Sequence, residues 1–164
     1  MPARDLRFEA SGAIQARPAV VWDILTDYRK GHPNILPPSA FSDFKVEAGG
    51  KGAGTVISYT FRAAGATRTA RHRVSEPAPG QTLVEADPEG AVRTSFTLTP
   101  LDEGSRTLVR ITTVQRASSG PRGAVERLLA PLFAPAMRRI YLDELRRLDA
   151  LAQRWPMDTP PPIS

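Results

Sequence analysis

Residues 91–116 read Ala91-Val-Arg-Thr-Ser-Phe-Thr-Leu-Thr-Pro-Leu-Asp-Glu-Gly-Ser-Arg-Thr-Leu-Val-Arg-Ile-Thr-Thr-Val-Gln-Arg116, two β-branched runs parted by turn residues at 102–105. In the first run Val92, Thr94, Phe96 and Leu98 share one parity, the alternation of a strand with one buried face. Turn chemistry recurs upstream at 49–54, 63–66, 77–80 and 87–90. It delimits strand-like segments at 41–48, 55–62, 67–76, 81–86, 91–100 and 106–116. Connections this short join antiparallel neighbours, so a six-stranded meander is expected. Residues 6–16 alternate in the same way, with Phe8, Ala10, Gly12 and Ile14 on one side, and add a seventh strand.

Between the first strand and the meander, Pro18 suits a first helical turn. Val21, Leu25 and Tyr28 follow at i, i+4 and i+7, predicting a short amphipathic helix that ends near 27–29. Gly31-His-Pro-Asn-Ile-Leu-Pro-Pro38 has room for one more helical turn. After the meander, Ser118 and Ser119 offer capping hydroxyls to a long C-terminal helix. Val125, Leu128, Leu132, Ala136, Ile140, Leu148, Leu151 and Trp155 mark its apolar side, and Arg138, Arg139, Asp143, Glu144, Arg146 and Arg147 its charged side. Pro131 and Pro135 each remove a backbone donor, so a kink or a division into two segments is expected there. Residues 1–5 read as an N-terminal tail and 156–164 as a disordered Pro-rich tail, leaving one domain over 6–155.

The 164 residues are 41% hydrophobic and 24% charged, which suits one domain with a buried core. The absence of Cys excludes disulfides, thiolate ligands and thiol nucleophiles, and His32 and His72 are too few for a multi-histidine site. No metal and no cofactor are therefore expected. The net charge of +5 invites a nucleic-acid reading, but the basic residues are interspersed with acids and only Lys30, Lys45 and Lys51 are lysines. Such dispersed charge affects solubility and encounter more than chemistry, and no nucleic-acid partner is expected. The first residues lack a signal-like apolar core, and no run reaches the roughly 18 apolar residues of a membrane span. A cytoplasmic protein without stable membrane insertion, monomeric or homodimeric, is the expectation.

The order strand, short helices, meander, long helix resembles the START/Bet v 1-like (SRPBCC) superfamily. Ile14-Gln-Ala-Arg-Pro-Ala-Val-Val-Trp-Asp-Ile-Leu-Thr-Asp-Tyr28 is similar to the opening of its bacterial polyketide cyclase/dehydrase and lipid-transport branch. Gly49-Gly-Lys-Gly-Ala-Gly-Thr55 resembles that branch's glycine-rich loop, and the segments from Phe96 and from Gly104 resemble its last hairpin. The resemblance covers roughly residues 6–155 and implies an α+β helix-grip fold. In that fold a seven-stranded curved antiparallel sheet wraps around the long C-terminal helix, with two short helices between strands 1 and 2. It also implies an apolar cavity between sheet and helix.

On the residues, Ile57, Tyr59 and Phe61 share one parity of the third strand, and Phe96 lies on the apolar parity of the sixth. If these faces meet the long helix, they face Leu132, Phe133, Met137, Ile140 and Tyr141, either as plain core or as the wall of a pocket. Tyr28 joins this candidate ligand cavity, as do Arg68 and His72, which share the parity of Val74. His72 is the candidate acid or base, and Arg68 a candidate partner for an acidic group. His32, in the Pro-rich connection, reads as a solvated loop residue. The glycine-rich loop lacks the Gly-Lys-Ser/Thr order of a phosphate cradle and reads as a hairpin connection. Asp143 and Glu144 diverge by about 100° on a helix and form no dyad.

The leading functional reading is binding or transport of a hydrophobic small molecule, such as a lipid, isoprenoid quinone or polyketide-like aromatic, without catalysis. The shortage of catalytic groups favours binding but leaves enzymatic activity open. The alternative is a polyketide cyclase/aromatase-type enzyme with His72 as proton shuttle. A second alternative is a ribosome- or chaperone-interaction module using the Arg138/Arg139 and Arg146/Arg147 face.

Overall fold

The alternation of small, β-branched and aromatic residues builds the sheet. The computed structural model describes residues 5–157. β1 (Leu6–Ile14) leads into α1 (Pro18–Thr26) and α2 (His32–Ile35). The meander follows as β2 (Phe41–Ala48), β3 (Val56–Ala63), β4 (Ala66–Ala78), β5 (Thr82–Ala86), β6 (Val92–Leu101) and β7 (Arg106–Gln115). The last element is α3 (Gly120–Ala152). The strands form one antiparallel sheet in the order β1-β7-β6-β5-β4-β3-β2, so the first strand pairs with the last. This is the helix-grip architecture expected from the sequence. Residues 1–4 and 158–164 of the two expected tails lie outside the described residues.

The core lies between the concave face of the sheet and the C-terminal half of α3. Tyr141, Leu145, Leu148 and Leu151 are buried there against Ala10, Ile14, Val109 and Ile111. β1 runs close to the helix at Gly12, where a Cβ would stand 3.5 Å from Leu145 Cδ1, an ordinary van der Waals contact. Asp149 Oδ1 accepts the Gln15 backbone N–H at 2.7 Å, and Asp23 Oδ2 accepts the Trp155 indole N–H at 2.7 Å, tying the C-terminal end of the helix to the N-terminal elements. No described helix is long and apolar enough to cross a membrane.

The structure corrects several expectations about α3. Pro131 and Pro135 do not divide it; one helix runs through both. Both prolines are exposed, so the carbonyls one turn back that lose their N–H partners lie on the wet side. Val125, Leu128 and Leu132, expected on the packed side, are exposed because the first half of the helix reaches beyond the sheet's buried face. Leu132 therefore does not meet the strands. Ser119 sits at the N-cap without a side-chain cap bond, and the Ser118 hydroxyl instead donates to Glu126 Oε1 at 2.8 Å. Glu144, expected on the charged side, is buried.

The glycine-rich loop is the expected hairpin connection. Gly50 has φ +132° and its Cα lies against the Arg29 side chain, a backbone and a space that only glycine fits. Its carbonyl accepts the Tyr28 N–H at 3.0 Å, which fixes the residue that carries α1 toward the cavity.

Candidate functional site

Sheet and helix enclose a chamber of about 40 Å³, room for a few waters or one small polar group. Its walls come from β3 (Ile57, Tyr59, Phe61), β4 (Arg68, His72), β6 (Val92, Thr94, Phe96) and α3 (Met137, Tyr141, Glu144). Phe41 and Phe44 close it from β2. Residues three apart on a strand ordinarily face opposite ways. Here the register slips between Ser42 and Lys45, with Asp43 at φ +56°, and the bulge turns both rings inward.

Phe61, Arg68, Thr113 and Met137 also line a larger outer space of about 440 Å³. That space is walled by Leu6 and Phe8 of β1 and by Val125, Leu129 and Phe133 of α3. The two adjoin across these four side chains, an apolar outer part beside a small inner end.

Polar groups are concentrated at the inner end. His32 Nδ1 lies 2.9 Å from the Leu25 carbonyl oxygen, which can only accept, so this nitrogen carries a hydrogen. His32 Nε2 stands 3.3 Å from Glu85 Oε1. Both side chains are buried. The Tyr28 hydroxyl donates to the same Glu85 oxygen at 2.7 Å, and the Tyr28 ring stacks on His32 at 4.6 Å.

Glu144 reaches the same chamber from the helix without such partners. Its Oε1 is buried and has no hydrogen-bond partner among the described residues. Burial, reinforced by Glu85, pushes its carboxyl well above the usual range, which favours the uncharged acid. The Tyr59 hydroxyl lies 3.2 Å from His72 Nδ1, and burial holds the His72 imidazole below its ordinary value. Burial raises the Tyr28, Tyr59 and Tyr141 phenols, which remain protonated. Tyr141 bonds Thr113, whose hydroxyl lies 2.7 Å from that of Thr94. The inner end is thus lined by groups that both donate and accept hydrogen bonds.

The candidate residues fall in three places. Ile57, Tyr59, Phe61, Arg68, His72, Phe96, Met137 and Tyr141 line the inner chamber, with Arg68 at its exposed edge and its guanidinium 5.9 Å from the Phe61 ring centre. Phe133 lines the outer space alone. Tyr28 stands behind the wall, reaching the chamber through Glu85. His32, expected in solvent, is instead buried as the first residue of α2. Asp143 does diverge from Glu144: it faces outward to Arg147 at 3.2 Å.

Glu85, Glu144, Phe41 and Phe44 escaped the sequence reading. A signal for Glu144 existed, because Met137, Tyr141, Glu144, Leu148 and Leu151 follow the 4-3-4-3 spacing of one helix face. Glu85 likewise shares the parity of buried Leu83. Among the described residues, no group of three or more His, Asp or Glu side chains is arranged to hold a metal ion.

A family model described as polyketide cyclase / dehydrase and lipid transport matches residues 5–153. The fold is similar to that of KanY protein, at 28% identity and TM-score 0.74, over 93% of this chain and 99% of that one. It is also similar to Zhui aromatase/cyclase from Streptomyces sp. R1128, at 18% identity and TM-score 0.68, over 92% of this chain and 95% of that one. A third likeness is to ginseng major latex-like protein 151 from Panax ginseng, at 13% identity and TM-score 0.59, over 92% and 97% of the two chains. The last two bear on fold alone. The sequence matches no curated protein.

Proposed function

The chain belongs to the polyketide cyclase/dehydrase and lipid transport family, and on that premise we propose that it binds an apolar small molecule whose inner end carries neutral oxygen groups. A phenol, a quinone or a polyketide-like aromatic has this chemistry. The observation that carries the reading is the division of the cavity: an apolar outer part of about 440 Å³ and a small inner end lined by Tyr59, His72, Tyr141 and Glu144. Ligand sites of this kind draw affinity from apolar walls and orientation from a few convergent polar groups. A protonated Glu144 supplies a donor, and neutral His72 an acceptor or donor, to a ligand carbonyl or hydroxyl. An ionised carboxylate would lose its hydration at the inner end and be disfavoured.

Calorimetric titration with naphthol, a naphthoquinone, naphthalene and naphthoate tests this. Naphthol and the quinone should bind more tightly than naphthalene, and naphthoate most weakly. Tightest binding of naphthoate, or no binding of any of the four, would overturn the reading.

One observation favours a second reading, proton-transfer catalysis of the cyclase or dehydratase kind. A neutral imidazole and a protonated carboxyl share one chamber, a base and an acid set apart by their surroundings. Turnover of an identified polyketone substrate that is unchanged in His72→Ala would rule it out.

A further inference from the structure

Among the described residues, the large apolar side chains that stand exposed are Val125 (53%), Leu128 (77%), Leu129 (39%), Leu132 (69%) and Met157 (44%). All but Met157 belong to the first half of α3. The other side of the same turns gives Val125, Leu129 and Phe133 to the outer cavity. This stretch therefore gives apolar side chains to the cavity and an apolar ridge to solvent, and exposed apolar patches rimmed by polar residues ordinarily mark contact surfaces.

The charges around the ridge are of one sign. Arg122 and Arg127 are exposed on this half-helix, and Arg138 and Arg139 just beyond it. Its one acidic residue, Glu126, is engaged by the Ser118 N–H at 3.0 Å, the Ser118 hydroxyl and Arg122. Across the cavity mouth, the β3–β4 turn brings exposed Ala64, Gly65 and Ala66, flanked by exposed Arg62 and Arg68. The mouth thus opens between an apolar ridge and a tip of small residues, with arginines around both.

We propose that this ridge docks the protein, mouth first, on an anionic lipid bilayer. Apolar side chains that enter the headgroup boundary while basic residues meet anionic lipid are the established chemistry of interfacial helices. A second copy of the chain would set arginine against arginine, whereas an anionic membrane complements both features of the patch. Docked in this way, Leu128 and Leu132 enter the lipid while Val125 and Leu129 continue into the cavity wall. An apolar molecule then passes from bilayer to cavity without crossing water. The depth required is that of a surface helix, not of a span.

The test is co-sedimentation of the full chain with vesicles of phosphatidylcholine alone and of phosphatidylcholine with phosphatidylglycerol, at low and high salt. No cavity ligand is added, so the outcome is independent of the ligand proposed above. Binding is expected to the anionic vesicles only, and to fall as salt rises. Leu128→Ser with Leu132→Ser should weaken it at least roughly tenfold, and Arg127→Glu with Arg138→Glu by a similar factor. All four positions are exposed, and unchanged circular dichroism and Tm would show the variants folded. The proposal is overturned if the wild type stays in the supernatant with anionic vesicles, or if folded variants bind as it does. It is equally overturned if the protein is a dimer in solution that Leu128→Ser with Leu132→Ser makes monomeric, since a second copy then covers the ridge.

Discussion

Glu85 on β5 and Glu144 on α3 reach one enclosed chamber from opposite walls, and hydrogen-bond partners from the described residues meet only the first at every buried oxygen. Glu85 Oε1 lies 3.3 Å from His32 Nε2 and accepts from the Tyr28 hydroxyl. Burial and the neighbouring Glu85 raise the Glu144 carboxyl well above its ordinary value, which favours its uncharged form in the folded protein.

For Glu144 the folded-state value lies above the unfolded one. Below about pH 4.5 the group is protonated in both states and has no effect. As pH rises past that point the unfolded chain ionises first and the folded state loses ground, by up to about 1.4 kcal/mol per pH unit until the folded value is reached. Glu144→Gln removes this loss. Urea denaturation of both proteins from about pH 4.5 upward should find the variant's relative stability rising with pH until the folded value is passed; parallel curves would refute the assignment.

His72 behaves oppositely. Its folded-state value is depressed by burial, so the stability tied to the neutral imidazole is present above about pH 6.5 and is lost as pH falls through that value. The proton NMR signal of the His72 ring should titrate with a midpoint below that of a free imidazole. A midpoint at or above the free value would contradict the buried placement beside Tyr59.

Tyr28→Phe tests the support behind the chamber. The ring and its stacking on His32 are kept, while Glu85 loses its 2.7 Å donor inside the core. The expected cost is about 1–3 kcal/mol, read as a shift in the urea midpoint. A shift within error would mean that the hydroxyl is not needed there.

Leu132 and Leu148 belong to one apolar stripe in the sequence and to opposite environments in the structure. Leu148→Ala should cost about 2–5 kcal/mol, because it opens a void beneath the sheet. Leu132→Ala should stay within about 0.5 kcal/mol. Equal costs would place the first half of α3 against the core rather than beyond it.

These contrasts also mark how far the sequence could be read. The strands were legible because alternation and turn residues are local properties, and β6 and β7 carry both over their whole length. The cavity's apolar residues followed from the same parity. Phe41 and Phe44 did not, since the bulge at Asp43 breaks the parity that the inference relies on. Glu144 was hidden by its neighbours: within Asp143, Arg146 and Arg147 an acid reads as solvated, although its spacing from Tyr141 and Leu148 puts it on the buried face. His32 was hidden by the prolines around it. Only the tertiary fold brings its ring between Tyr28 and Phe96, at 4.6 and 5.4 Å.

The pairing of β1 with β7 has a temporal consequence. Leu6 lies opposite Gln115, so the first strand finds its partner only after roughly a hundred further residues are available. Until then one edge of the growing sheet is open and its apolar face has no helix to cover it. Assembly is therefore governed by a late, long-range closure: the meander can zip through neighbouring hairpins, but the container exists only when the two ends of the domain meet. A lesion in β1 or the second half of α3 should thus be felt by the nascent chain as prolonged exposure, before any loss of ligand could be measured.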